Sequence, residues 1–160
     1  MTIINTGGTF NKRYDPISGE LFVPEDNLAI ESIVERFTYP LVLKGMIFKD
    51  SLQMTADDRA MLAEELTALS DPVVVIVHGT DTMDLSAEHL ATLALNKVVV
   101  LTGAMVPYSI DPVEATANLS MAIGFAKAAE HKGIYICMQG IAVAHNQVKK
   151  NRTTGKFERV

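Results

Sequence analysis

Two short stretches put hydroxyls and bare backbone at places where a strand gives way to a turn. Thr6–Thr9 reads TGGT directly after the apolar opening TIIN, and His78–Met83 reads HGTDTM after a second apolar run. Glycines without side chains let the backbone approach a ligand and aim N–H groups at a developing oxyanion. Thr9 and Thr80 would each hold a hydroxyl there. A threonine hydroxyl is a weak nucleophile and needs a base beside it. The chain offers a carboxylate, Asp81, next to Thr80, and two lysines, Lys149 and Lys150, in its last segment. Burial lowers a lysine pKa and makes it a base, whereas a nearby Asp81 favours the ammonium, so the lysine would need desolvation or a third partner. These residue types suggest acyl transfer with two hydroxyls, an acid and a lysine. Neither GxGxxG after the first strand nor GxxxxGK[ST] is present, which argues against dinucleotide and nucleoside-triphosphate chemistry.

Five apolar runs would position these groups: Thr2–Asn5, Leu41–Phe48, Val73–His78, Val98–Gly103 and Ile134–Met138. Three are almost unbroken aliphatic sequence, as expected of parallel strands buried on both faces. Helical stripes fill the gaps. Ile30, Ile33, Val34 and Phe37 form one, and Leu62, Leu66 and Leu69 another, with Thr55 and Asp58 as a capping box. Ala87, Leu90 and Ala94 suggest a third. A fourth starts at Asp111 with Pro112 in the first helical position and buries Ala115, Leu119, Ala122, Ile123 and Ala126. The segment Asn11–Pro24 is rich in turn formers, with a hairpin turn at PISG and a strand at ELFV, and is a candidate lid. The pattern predicts an α/β fold: a doubly wound, mostly parallel sheet with helices on both faces, as one domain over residues 1–160. Ligands bind such sheets at the carboxyl ends of the strands. Here those ends are TGGT, Asp50–Ser51, HGTDT and TGAM, so hydroxyls and a carboxylate converge on one rim.

Composition narrows the partners. A formal charge of −5 and no long basic run argue against nucleic acid. One cysteine, Cys137, excludes an internal disulfide and CxxC sites, and the four histidines lack metal-ligand spacing, so no metal is expected. No window approaches the ~20 apolar residues of a membrane span, and no signal segment is read at the N-terminus, which points to a cytoplasmic protein.

The segments INTGGTF, VHGTDTM, VVVLTGAMVP and DPVEATANLSMAI resemble, in order and spacing, the N-terminal domain of bacterial-type L-asparaginases. The resemblance runs to about Thr154. It implies cofactor-free hydrolysis of L-asparagine to L-aspartate and ammonia through a threonine nucleophile and an acyl-enzyme. Glutaminase or broader amidase activity, and a binding module without turnover, are the alternatives. Carried onto this chain, the nucleophile falls on Thr9, and the second threonine and its aspartate on Thr80 and Asp81. The catalytic lysine best matches Lys150, with Lys149 as rival, and a lid tyrosine corresponds to Tyr14. Ser51, with Asp50 beside it, would take the substrate α-carboxylate. Asp81 would hold the α-amino group, Gly8 and Gly79 would line the site, and Ala104 would offer its carbonyl to the amide. Leu52 stands where larger relatives carry a polar side chain, and Val106 where they often carry Arg. Most members continue into a second domain, so this chain resembles the short, single-domain asparaginases. A homo-oligomer, most simply a dimer, is expected, with Leu85, Leu90, Leu93 and Leu95 as a candidate surface.

Overall fold

The five apolar runs become five neighbouring strands of a six-stranded sheet. The computed structural model describes all 160 residues, Met1 to Val160. It begins with β1 (Thr2–Gly7), β2 (Arg13–Asp15), β3 (Glu20–Phe22), α1 (Leu28–Val34) and β4 (Val42–Lys49). α2 (Ala56–Ala68), β5 (Val73–Val77), α3 (Met83–Ala91) and β6 (Val98–Thr102) follow. The chain continues through α4 (Pro112–Ala128), β7 (Gly133–Met138), β8 (Ile141–Ala144), β9 (Val148–Asn151) and β10 (Lys156–Arg159). The sheet order is β4-β1-β5-β6-β7-β8, parallel throughout except for the antiparallel pair β7-β8. β2-β3 and β9-β10 are separate hairpins.

Side chains alternate across the sheet with a period of two, so each strand feeds two cores. Ile4, Ile76, Val99 and Leu101 pack with Leu62 and Leu66 of α2 and Met83 and Leu90 of α3. Their neighbours Ile3, Val75, Val77 and Val100 pack with Ile30 and Ile33 of α1 and Leu119 and Ile123 of α4. The doubly wound arrangement with helices on both faces is the one expected. Its order reverses at β1, which lies between β4 and β5. In open α/β sheets that crevice is where ligands bind.

Both expected helix starts are present. Thr55 and Asp58 form the capping box, with Asp58 N–H donating to Thr55 Oγ1 at 3.2 Å and Thr55 N–H to Asp58 Oδ2 at 2.8 Å. Asp58 also takes Lys49 Nζ at 2.7 Å, tying the end of β4 to α2. Asp111 caps α4 by accepting from Val113 N–H at 3.0 Å. The first helix ends at Val34, before Phe37, and the third begins at Met83, ahead of the stripe that announced it.

β4 carries an irregularity that bears on the site. Asn5 pairs with Gly45 but Gly7 pairs with Lys49, so β4 is longer than β1 over the same span. The excess is taken up at Ile47 (φ 71°) and Phe48 (φ 51°), both left-handed, a conformation β-branched residues rarely adopt. The kink re-aims the strand end that leads into Asp50 and Ser51. Cys137 is buried among apolar side chains, and burial pushes its thiol up to about 12. No helix is long and apolar enough to cross a membrane.

Candidate active site

Four loops at the carboxyl ends of β1, β4, β5 and β6 meet backbone to backbone. A Cβ on Gly8 would lie 2.4 Å from the Cα of Gly79, and one on Gly79 would lie 2.6 Å from Ser51 Cβ and Oγ. A Cβ on Gly103 would lie 2.4 Å from the His78 carbonyl oxygen and 3.4 Å from Thr80 Cγ2. Glycine at position 8 is demanded twice, by this contact and by its φ of 74°. TGGT, Asp50–Ser51, HGTDT and TGAM are therefore one continuous rim.

The glycine N–H groups of TGGT have a different use from the one expected. Gly8 N–H donates to Lys49 O at 2.9 Å and Gly7 N–H to Asn5 Oδ1 at 2.9 Å, so neither is free for an oxyanion. Several rim N–H groups do remain without a partner in the chain, those of Thr9, Gly79, Thr80 and Ala104 among them.

Thr9 opens a single 3-10 turn, Thr9–Asn11, is half-buried, and its hydroxyl makes no hydrogen bond to the chain. Thr80 is buried and already engaged. Lys150 Nζ donates to Thr80 Oγ1 at 2.9 Å and to Asp81 Oδ1 at 2.8 Å, joining segments 70 and 69 residues apart. With its oxygen occupied as acceptor, the Thr80 hydroxyl hydrogen faces only Met105 Sδ at 3.4 Å. A thioether is a weak acceptor, so that proton is available to a better one. Strand parity separates the two lysines. Lys149 pairs with Glu158 across β9-β10 and is exposed, whereas Lys150 pairs with Phe157 and turns inward, its side chain 12% exposed.

Ser51 is buried, and its carbonyl accepts from Thr82 Oγ1 at 2.8 Å. Asp50 takes Lys12 Nζ at 2.6 Å and the Leu52 N–H at 3.0 Å. Burial opposes its ionisation, but the Lys12 and Leu52 hydrogen bonds and the charges of Lys12 and Lys150 prevail and hold its carboxyl below the usual range. Ala104 is fully buried, and its carbonyl accepts no hydrogen bond from the chain. Glu114 fixes the turn beyond it by accepting from Met105 N–H at 3.0 Å and Val106 N–H at 3.1 Å. Tyr14 stands apart. It lies on the β2-β3 hairpin opposite Leu21, is 59% exposed, and makes no hydrogen bond to Thr9, Thr80 or Lys150.

Lys12, His78, Arg59 and Thr82 belong to this region and could not be singled out from sequence. His78 is wholly buried, and desolvation is the main reason its imidazole falls to about 4. Its Nδ1 lies 2.8 Å from Gly79 O and its Nε2 2.8 Å from Ser86 Oγ. The one available signal was the HGTDT motif itself, which places His78 immediately behind Gly79.

The family profile described as "Asparaginase, N-terminal" matches residues 1–157. This chain belongs to the asparaginase family. A glutamyl-tRNA(Gln) amidotransferase subunit from Methanopyrus kandleri is 32% identical over 151 residues, covering 88% of this chain and 32% of its own length. A probable periplasmic L-asparaginase of Haemophilus influenzae is 32% identical over 168 residues, covering 96% of this chain and 47% of its own length. The thermostable L-asparaginase of Thermococcus kodakarensis has the same fold, with a TM-score of 0.83 at 21% identity. That match covers 99% of this chain and 50% of the Thermococcus chain. This asparaginase-family chain thus spans half or less of the length of these relatives.

Proposed function

We propose that this chain hydrolyses the side-chain amide of L-asparagine to L-aspartate and ammonia, with Thr9 as nucleophile. The observation that carries the reading is Lys150 Nζ bridging Thr80 Oγ1 at 2.9 Å and Asp81 Oδ1 at 2.8 Å beside the Gly8–Gly79 contact. The Thr9 oxygen bonds to the amide carbon, the C–N bond breaks, and ammonia leaves carrying the proton that Thr9 gives up. Water then adds to the acyl-threonine, releasing aspartate and restoring the hydroxyl. Lys150 donates to Thr80 Oγ1 and so makes the Thr80 hydroxyl a stronger donor towards the reacting groups. Asp81 anchors that ammonium and accepts the substrate α-ammonium, Ser51 takes the α-carboxylate, and Ala104 O receives the amide N–H. Tyr14 joins the site when the hairpin closes. The half-exposed Leu85 (50%) and Leu93 (39%) suit a homo-oligomer, which sedimentation of the chain as a 17.4 kDa species would refute.

A second reading keeps this chemistry but gives the ammonia to an acceptor, as part of an amidotransferase. The similarity to the Methanopyrus protein favours it. Ammonia release measured over L-asparagine, L-glutamine and their D-forms tests the first reading. The expected order puts L-asparagine first, and no release from any of the four amides would sink it.

A further inference from the structure

Behind the rim one side chain joins four segments. Arg59, half-buried at the start of α2, donates through Nε to Ser86 Oγ at 3.1 Å and through Nη2 to Thr82 Oγ1 at 3.1 Å. Its Nη1 donates to the carbonyls of Met54 at 3.2 Å and Thr55 at 3.1 Å. All four acceptors are uncharged, so the guanidinium is used here for its fixed fork rather than in an ion pair.

The direction of each hydrogen bond is fixed from both ends, because the guanidinium only donates and the carbonyls of Ser51 and Gly79 only accept. A guanidinium only donates, so Thr82 Oγ1 accepts and must send its own hydrogen to Ser51 O at 2.8 Å. Ser86 Oγ likewise accepts from Arg59 and sends its hydrogen to His78 Nε2 at 2.8 Å. The Gly79 carbonyl can only accept, so Nδ1 carries the imidazole proton and donates to it at 2.8 Å, which leaves Nε2 to accept from Ser86. Both branches end on carbonyls of rim residues that touch each other, Ser51 and Gly79.

We propose that Arg59 is a positioning residue for substrate binding, setting Ser51 through Thr82 and Gly79 through Ser86 and His78. The proposal rests on the amino-acid amidase reading, in which Ser51 and Asp81 hold the amino-acid end of the substrate. Thr9 and the Thr80–Lys150 pair lie outside the two branches, so affinity changes more than the chemical step.

Three variants test it: Arg59→Met keeps the stem without the fork, Arg59→Lys keeps the charge without the fork, and Thr82→Val cuts only the Ser51 branch. All three should raise KM for L-asparagine and the Kd for L-aspartate roughly tenfold, the scale of one or two rearranged hydrogen bonds, with kcat within about threefold. Long-range 15N–1H spectra should show His78 as the Nδ1–H tautomer in the wild type, with the Nε2 resonance shifted in Arg59→Met as Ser86 loses the donor that orients it. Wild-type KM and Kd in Arg59→Met, full affinity in Arg59→Lys, or a loss confined to kcat would each overturn the proposal. If Arg59→Met does not fold, Thr82→Val decides, and unchanged affinity there is fatal. A wild type that neither turns over asparagine nor binds aspartate defeats the proposed function instead. The His78 spectra would then still decide whether Arg59 holds the imidazole.

Discussion

The rim, which Lys150 reaches from the β9-β10 hairpin, and the β2-β3 hairpin are held by opposite means. At the rim, four loops touch through backbone atoms, and Gly8, Gly79 and Gly103 have no room for a side chain. The hairpin has its own short ladder, the Arg13–Asp26 ion pair, and Arg13 lying 6.0 Å from the Phe22 ring centroid. Its apolar side chains face outward, with Ile17 96% exposed and Leu21 and Phe22 each 46% exposed. The lesson is a division of labour. Groups that must be placed to tenths of an ångström sit on strand ends fixed by the central sheet, whereas Tyr14 sits on an element with few anchors.

The largest test of that division is Thr9→Ala. Loss of a nucleophile should lower turnover on the order of 10⁴-fold, while the melting temperature stays within about 2 °C because the hydroxyl is half-exposed and unpartnered. A rate near wild type would move the nucleophile, with Thr80 as the first candidate. Next comes the lysine pair. Lys150→Met should lose about 10²–10³-fold in kcat/KM and Lys149→Met less than about twofold, and the reverse order would contradict the parity of β9.

Acid should loosen the rim through His78. Its folded pKa, about 4, lies below the ordinary 6.5, so the fold binds the neutral imidazole. This contribution is complete above about pH 6.5 and is lost as pH falls towards 4, reaching roughly 3 kcal/mol. Urea midpoints at pH 7.5, 5.5 and 4.5 should fall for the wild type and fall less for His78→Gln. Equal slopes would remove His78 from the account. The smallest effect belongs to the hairpin. Tyr14→Phe should reduce kcat/KM about three- to tenfold with no loss of stability, and L-aspartate should slow amide exchange across residues 13–22. Unchanged exchange with saturating aspartate would mean that the hairpin does not close on the site.

The difference between rim and hairpin also explains what could be read in advance. β1, β5 and β6 announced themselves because burial on both faces demands unbroken apolar sequence. The partly exposed edge strand β4 showed as a more broken apolar run, and Thr55–Asp58 and Asp111–Pro112 marked helix starts by their own chemistry. β8 did not show, because its apolar run IAVA is only four residues long, nor did β9 and β10, because VKKN and KFER mix polar and apolar residues. Thr9, Thr80 and Asp81 follow their strands directly, so locating the strands located them. The choice between Lys149 and Lys150 depended on the register of a hairpin that carries no apolar signature. Leu85, Leu90, Leu93 and Leu95 do not make a single surface, since Leu90 is buried and Leu95 packs against the core. Arg59 left no trace at all, because its role arises only when α2, α3 and the two loops are brought together.

The Gly8–Gly79 contact has a consequence for anyone wishing to retarget the site. Paired positions in a core can usually exchange bulk, one growing as the other shrinks, but here both are already at the smallest residue, with the main chain of Gly79 against Gly8 and Ser51 against Gly79. A library that varies either position spends its members on chains that cannot assemble the pocket. Useful diversity lies instead along the wall formed by Leu21, Phe22, Phe48, Leu52 and Gln53, which borders Asp50 and leaves space for larger or smaller side chains. Substrate range can be redrawn from that side while the glycine seam is left alone.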